Sequence, residues 1–455
     1  VTARPILTAA EMRDAERRSG QPERDMVERA GLALATAIAR FTGPLRTLVV
    51  AGPGNNGADG MVAARHLAAA GWDVAVAVAG QSRPGSVAAE LRADWPGHLA
   101  DPAAAAPATL VVDALFGTGF ARPLDDALMA AVLPLWSAAR LRVAADLPSG
   151  VDADTGAVLS DLPAAHLTIA FGALKPAHRL QPAAGRCGRV AVADIGVEVG
   201  STLTELPRPR VHPPTAQSHK YSRGMVAVVA GAMPGAAALA ASAAARAGAG
   251  YVLQLMAGGA LDTHPHAIMR RIVSADAVAE QLDDDRIGAV LVGPGLGRDA
   301  DARRRLDAAL LSGKPLVIDG DALALLTPSR LSRHPGSILT PHDGEFRRLF
   351  GDLPGSKVDR ARAAAARTGC TLLLKGADSV VADPDGRAAI LPPASPWLAT
   401  AGTGDVLAGI VAARRAAGDT PFDAAAAGAW LHADAADRVG PGLIADDLLT
   451  HLGPR

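Results

Sequence analysis

The turn Ala401-Gly402-Thr403-Gly404-Asp405 runs into the apolar stretch Val406-Leu407-Ala408-Gly409-Ile410, and its residue types are those of an anion site with a base beside it. Backbone N–H groups at a helix start lack internal partners and lie at the positive end of the helix dipole, so they hold phosphate oxygens. A carboxylate just past the last glycine reaches a hydroxyl presented to that phosphate and takes its proton as the bond to phosphorus forms. Asp405 is therefore the candidate general base. Ordinary helix caps use the same residue types, so the other polar positions must decide between the two readings.

Those positions stand out against a biased composition. The only two asparagines, Asn55 and Asn56, are adjacent in Gly52-Pro53-Gly54-Asn55-Asn56-Gly57-Ala58-Asp59-Gly60. Of five lysines, two end apolar stretches, at Phe171-Gly172-Ala173-Leu174-Lys175 and Leu372-Leu373-Leu374-Lys375. An ammonium kept in an arginine-rich chain points to a site that a guanidinium does not fit.

Alternating strand and helix patterns must position these residues. In the N-terminal half, Thr8 three residues before Glu11 predicts a capped helix, followed by a helix over 26–39. A strand over 47–51, the glycine-rich loop 52–60, a helix over 61–70 and a strand over 74–79 read as a βαβ unit. Gly52, Gly54 and Gly57 match the spacing of a dinucleotide fingerprint, but Val76-Ala77-Val78-Ala79-Gly80 supplies no acidic ribose ligand, which excludes an ordinary NAD redox site. Strands over 109–112, 142–145 and 167–170 end near Asp113, at Asp146-Leu147-Pro148-Ser149, and near Lys175. In a parallel sheet such ends share one edge, so Asn55, Asn56, Asp59, Asp113, Asp146, Ser149 and Lys175 are expected to face one crevice. Oxygens there can also hold a metal cation.

Pro207, Pro209, Pro213 and Pro214 make a stiff connector and predict a domain boundary near Val211, giving domains 1–210 and 211–455. The pattern then restarts with a strand over 225–230, a turn over 231–235, a helix over 236–247 and a strand over 251–256. Later strands end at Gly293-Pro294-Gly295-Leu296-Gly297, Asp319-Gly320-Asp321, Pro341-His342-Asp343-Gly344-Glu345 and Lys375-Gly376. Both halves are α/β.

Asn55 to Gly60, Val112-Asp113-Ala114-Leu115-Phe116-Gly117-Thr118-Gly119 and Asp146 to Asp152 resemble the NAD(P)H-hydrate epimerase family, from about Leu7 to Gly196. The resemblance implies a Rossmann-like domain that interconverts the R and S forms of hydrated NADH or NADPH. It implies substrate contacts at Asn55, Asn56, Gly57, Ala58 and Asp59, and at Gly117, Thr118, Gly119, Phe120, Ala121, Arg122 and Pro123. It further implies potassium ligands at Asn56, Asp113 and Ser149 and a substrate contact at Asp146, which with Lys175 nearby is the candidate acid–base group. Ala58 stands where the family usually has glycine; if a positive φ is required there, the loop carries about 1 kcal/mol of strain.

From Gln217 to Leu452 the chain resembles the ribokinase-like, doubly wound NAD(P)H-hydrate dehydratases. Gly404 and Asp405 correspond to the phosphate-binding turn and base, and Lys375, Gly376, Ala377, Asp378 and Ser379 to the nucleotide-binding segment. Ala236, Gly295, Gly297 and His342 correspond to hydrate contacts, and Glu345 to the water network of a magnesium ion. The implied reaction phosphorylates the hydrate hydroxyl with ADP or ATP, and loss of phosphate then restores the nicotinamide ring. The order of the two halves resembles bifunctional NAD(P)H-hydrate repair enzymes. A small-molecule kinase joined to a non-catalytic ligand-binding module is the rival reading, because the same fold and turn serve such kinases.

The chain's 455 residues suit two or three domains. Lys plus Arg (45) nearly balances Asp plus Glu (46), and no basic stripe interleaved with aromatics points to nucleic acid. No apolar run is long enough to cross a bilayer and the opening residues lack a leader pattern, so a cytoplasmic protein is expected. Cys187 and Cys370 lack metal spacing and are read as structural. The expected partners are small molecules and further copies of the chain.

Overall fold

In the computed structural model, which describes residues 3–211, 213–261 and 264–453, short apolar strands alternate with helices in both halves. The first half contributes β1 Thr47–Ala51, β2 Val74–Val78, β3 Leu99–Ala100, β4 Leu110–Ala114, β5 Leu141–Ala145, β6 Leu167–Phe171 and β7 Arg189–Ala193. They form one sheet in the order β3-β2-β1-β4-β5-β6-β7, every pairing parallel. β1, β4 and β6 are buried along their whole length, which explains their unbroken apolar runs: a parallel sheet is covered on both faces. Strand order reverses between β1 and β4, and the strand ends there open a crevice. The helices Glu23–Phe41 and Asn55–Ala69 pack closely because Gly31 carries no Cβ, which would lie 2.4 Å from Val62 Cβ.

The helix after β1 starts at Asn55, six residues before the expected 61. Its first turn carries Asn55, Asn56 and Gly57, and the Ala58 amide donates to the Gly54 carbonyl at 3.1 Å. Ala58 is thus a buried helical residue, and Asp146 is the only non-glycine with positive φ among the described residues. The strain expected at Ala58 does not arise. The tight position is Gly57, where a Cβ would lie 1.9 Å from the Gly52 carbonyl oxygen.

The second half contributes β8 Leu203–Glu205, β9 Met225–Val229, β10 Tyr251–Met256, β11 Met269–Ile272, β12 Ile287–Val292, β13 Leu316–Ile318, β14 Ile338–Leu339, β15 Thr371–Leu374, β16 Val380–Ala382 and β17 Ala388–Ile390. Their order is β11-β10-β9-β12-β13-β14-β15-β16-β17-β8. Pairing is parallel from β11 through β15, then antiparallel through the β16–β17 hairpin. The chain divides between Leu203 and Thr204 rather than near Val211. The reason is that β8 joins the second sheet beside β17, with the Leu206 amide bonded to the Ile390 carbonyl at 2.9 Å, so the prolines follow the division instead of making it. Alanine-rich helices Pro234–Arg246 and Thr403–Ala416 pack backbone to backbone, and a Cβ on Gly409 would lie 2.1 Å from the Ala240 carbonyl oxygen. Among the described residues no helix is long and apolar enough to cross a membrane.

Candidate active sites

The crevice of the first unit is a cavity of about 720 Å³. Asn55, Asn56, Asp59, Asp146 and Lys175 line it together, as their strand-end placement predicts. Lys175 is buried, and its Nζ donates to Asp146 Oδ1 at 2.5 Å and to the Phe171 carbonyl at 2.8 Å. The same Oδ1 accepts from the Phe171 amide at 3.1 Å. Asp146 is held at φ 62°, a conformation costly for a residue with a Cβ and one that concentrates at functional sites. His178 fixes it from behind: its Nδ1 accepts from the Lys175 amide at 2.8 Å, so its Nε2 donates to the Asp146 carbonyl at 2.7 Å. Burial, then the Lys175 charge, push the His178 pKa down to about 3, so this prop stays neutral.

The loop after β4 closes over Asp146. A Cβ on Gly117 would lie 3.2 Å from both Asn56 Oδ1 and Asp146 Oδ2, and the Phe116 and Phe120 rings stack at 4.4 Å. Gly117, Thr118, Gly119 and Phe120 line the cavity, whereas Ala121, Arg122 and Pro123 do not. Gly57 and Ala58 are buried in the helix and do not line it either. Asp113 lies inside β4, its Oδ1 accepting from Ser149 Oγ at 2.6 Å and its Oδ2 from the Ser149 amide at 2.8 Å. Burial raises its pKa to about 6 against those hydrogen bonds. The carboxamide of Asn56 is buried with neither Oδ1 nor Nδ2 partnered. An orphaned amide oxygen and an anionic Asp113 with its Ser149 hydroxyl are oxygen donors of the kind a monovalent cation takes.

Two residues of this site escape a strand-end reading because they come from helices ahead of the sheet. Glu16, on the helix Ala9–Ser19, reaches the cavity, and Glu23 accepts from Asn55 Nδ2 at 2.7 Å. The Thr8–Glu11 capping box that starts the first of these helices is present as expected.

In the second unit the strand ends converge on Lys375. Its Nζ donates to the buried Asp319 Oδ1 at 2.7 Å, lies 3.9 Å from Glu345 Oε2, and would be 3.4 Å from a Cβ on Gly404. Burial works against the charge of Lys375, yet Asp319, Glu345 and Asp405 hold its pKa above the ordinary value. Gly402, at φ 88°, caps the helix Thr403–Ala416, and Thr403 Oγ1 ties the turn to the Leu398 and Thr400 carbonyls at 2.9 and 3.0 Å. Asp405 stands in the first turn of that helix and makes no side-chain cap hydrogen bond. Burial, then the Asp319 charge, raise its pKa to about 6, with Lys375 opposing and Asp321 and Glu345 adding to the rise. A carboxyl poised near 6 beside an ammonium and helix-start amides suits proton removal from a hydroxyl under phosphoryl transfer.

The glycine loops after β9 and β12 lie against each other: a Cβ on Gly295 would lie 2.1 Å from the Met233 carbonyl oxygen, and the Gly297 amide donates to Asp321 Oδ2 at 3.0 Å. Ala236 occupies the first turn of the helix that follows β9. His342 caps the helix Asp343–Phe350, its Nδ1 accepting from the Gly344 and Glu345 amides at 3.0 and 3.3 Å, while Glu345 Oε2 accepts from the His342 amide at 2.8 Å. Its ring remains largely exposed. Gly376 and Ala377 are exposed, and Ser379 Oγ pins the turn by donating to the Gly376 carbonyl at 2.8 Å. Asp378 is paired with Lys357 Nζ at 2.5 Å, which also reaches the Lys375 carbonyl at 3.4 Å. Lys357 lies at the start of a helix far from any strand end in sequence, so no local signal marks it.

A family model described as NAD(P)H-hydrate dehydratase matches residues 226–452, and one described as YjeF-related protein N-terminus matches residues 23–177. The bifunctional NAD(P)H-hydrate repair enzyme Nnr of Salinibacter ruber is 37% identical, covering 98% of this chain and 95% of that protein. The protein of the same name from Mycobacterium tuberculosis is 35% identical, covering 89% of this chain and 87% of its own length. A solved ADP/ATP-dependent NAD(P)H-hydrate dehydratase from Bacillus subtilis, co-crystallized with ATP/Mg2+, is 28% identical with a TM-score of 0.46, covering 53% of this chain and 92% of that one. With both domain models and near-complete overlap with such relatives, the chain belongs to the bifunctional NAD(P)H-hydrate repair enzymes, an epimerase domain followed by a dehydratase domain.

Proposed function

We propose that Arg4–Leu203 interconverts the R and S hydrates of NADH and NADPH, and that the chain from Thr204 onward uses ADP or ATP to dehydrate the S form. The observation that carries the reading is the geometry around Lys375: a base, Asp405, a lysine anchored by Asp319, and the amides of a glycine turn within reach of one another. Asp405 takes the hydroxyl proton of the hydrate, and the amides at Gly404 with Lys375 stabilise the charge on the transferred phosphoryl group. Expulsion of phosphate then restores the ring double bond. Gly376, Ala377 and Ser379 hold the nucleotide beside Lys375, while Asp378 positions that turn through Lys357. Ala236, Gly295, Gly297 and His342 frame the hydrate.

Asp319, Glu345 and Asp405 face a single lysine while Asp321 is paired with Arg298, and the three carboxyls make an excess of negative charge that fits magnesium, which Glu345 would hold through a water shell. When bound, magnesium neutralises charge between the phosphates. In the first unit Asn56, Asp113 and Ser149 fit potassium, which orders the loop carrying Gly117. Asp146, held by Lys175, supplies acid–base chemistry there. The chain is expected to work in the cytoplasm and to self-associate, which fractionation and light scattering test. Incubating chemically hydrated NADH with ADP or ATP and following the reduced-nicotinamide absorbance tests the function directly. No recovery with either nucleotide, from a mixture of both hydrates, refutes it.

A further inference from the structure

Three carboxyls meet one ammonium in the N-terminal cavity: Glu16 from the helix Ala9–Ser19, Asp59 from the helix Asn55–Ala69, Asp146 after β5 and Lys175 after β6. The lysine is already matched, at 2.5 Å, by Asp146. Asp59 is 7% exposed, and no described residue hydrogen-bonds its carboxyl. Arg13, Arg17 and Glu23 also line the cavity, Arg17 paired with Asp14, but burial, then Asp146, then Glu16 dominate around Asp59 and push its pKa well up, with Lys175 opposing. An unpartnered carboxyl beside two others avoids the cost of a buried charge by keeping its proton.

We propose that Asp59 is a catalytic acid of the epimerisation, a role resting on the epimerase reading above, with the Oδ2 of Asp146 as its complementary base. Hydration of a ring enamine leaves the hydroxyl on the carbon bonded to nitrogen. Asp59 gives its proton to that hydroxyl, the carbon–oxygen bond breaks, and water leaves as the nitrogen lone pair forms a carbon–nitrogen double bond. The ionised Asp59 then faces the iminium. Water adds to the opposite face, the electron pair returns to nitrogen, and the proton released goes to Asp146 Oδ2, the oxygen turned towards Gly117 and not bound to Lys175. Proton return from Asp146 to Asp59 through the cavity resets the site, and nothing is consumed.

The test is exchange between the R and S hydrates of NADH by the full chain, separated chromatographically with no ADP or ATP present. Asp59→Asn is expected to lower kcat by about a hundred- to ten-thousand-fold, with KM within about threefold of wild type, as for loss of a group acting in the transition state. Wild-type kcat is expected to fall as pH rises and Asp59 ionises; the variant loses that limb, and Asp59→Glu recovers part of the rate. Wild-type exchange no faster than without enzyme overturns the epimerase reading itself. Active wild type with Asp59→Asn within tenfold of it, or with only KM changed, overturns the role of Asp59. Circular dichroism and the thermal melt of the same variant check folding of the chain. If Asp59→Asn does not fold, the wild-type profile decides, and a rate that does not fall on the alkaline side overturns the proposal.

Discussion

Asp405→Asn separates the base from the cap. The helix Thr403–Ala416 is capped by Gly402 with no side-chain hydrogen bond, so the amide removes no cap interaction. The carboxylate it removes is held near Asp319, with its pKa raised by burial to about 6. Because the folded pKa lies above the ordinary value, the native state binds this proton more tightly than the unfolded chain. The resulting stabilisation is fully present below the ordinary carboxyl pKa and is lost as pH rises through about 6. At pH near 7.5 the ionised group is therefore a burden, and the variant is expected to melt at or slightly above wild type, with the gap closing near pH 4. Dehydration falls by about a hundred- to ten-thousand-fold, ~3 to 5 kcal/mol of barrier. For wild type, the ionised share of a group with pKa about 6 drops from nearly all at pH 8 to about a tenth at pH 5, so kcat/KM loses roughly tenfold over that range. The variant's residual rate lacks this limb. Stopped-flow recovery of reduced-nicotinamide absorbance, with differential scanning calorimetry at both pH values, measures all three. Dehydration within tenfold of wild type, or a melting point several degrees lower at pH 7.5, refutes the assignment.

Lys375→Arg keeps the charge but cannot place a planar guanidinium both 2.7 Å from Asp319 and against Gly404, so nucleotide affinity by calorimetry is expected to fall about tenfold or more. Gly117→Ala puts a methyl 3.2 Å from Asn56 Oδ1 and Asp146 Oδ2; hydrate exchange is expected to slow by roughly tenfold to a hundredfold while dehydration is unchanged. Potassium in place of a bulky organic cation at matched ionic strength is expected to speed hydrate exchange, and Asn56→Ala to abolish that response in the same assay. Lys357→Met removes the 2.5 Å ion pair with Asp378, and the expected result is a lower melting temperature together with weaker nucleotide binding.

The parallel strands were legible because burial on both faces leaves unbroken apolar runs, as at Thr47–Ala51 and Leu316–Ile318, and five of the seven polar residues expected at the N-terminal crevice line it, whereas Asp113 and Ser149 are bonded to each other outside that lining. Helix starts inside glycine-rich turns were not. Asn55-Asn56-Gly57 has poor helix propensity and reads as loop, yet the close approach of Gly57 to Gly52 and the packing of the helix behind it draw the helix back to Asn55. The β16–β17 hairpin had a signal, Asp383-Pro384-Asp385-Gly386, that spacing arguments aimed at parallel strands passed over. Glu16 and Lys357 reach their sites from helices whose sequence says nothing about which strand end they will meet; only tertiary packing reveals them.

The two sites share one device and differ in where its charge is directed. Each places a lysine after a buried strand against an aspartate from another strand end: Lys175 with Asp146 of the adjacent β5 at 2.5 Å, Lys375 with Asp319 of β13, one strand further across the sheet, at 2.7 Å. The side chain of Lys175 is 1% exposed and its remaining bond goes to the Phe171 carbonyl, so its charge is spent on holding Asp146 in a strained backbone conformation. In the proposed epimerisation this suits proton transfer to and from the oxygen on the carbon next to nitrogen, where no anionic group has to be moved. The side chain of Lys375 is 16% exposed and stands beside the Gly404 backbone, so after satisfying Asp319 it still faces the turn proposed to bind phosphate oxygens. Exposure of the ammonium thus divides the labour: a quenched lysine sets a base in one unit, and an available one receives transferred charge in the other.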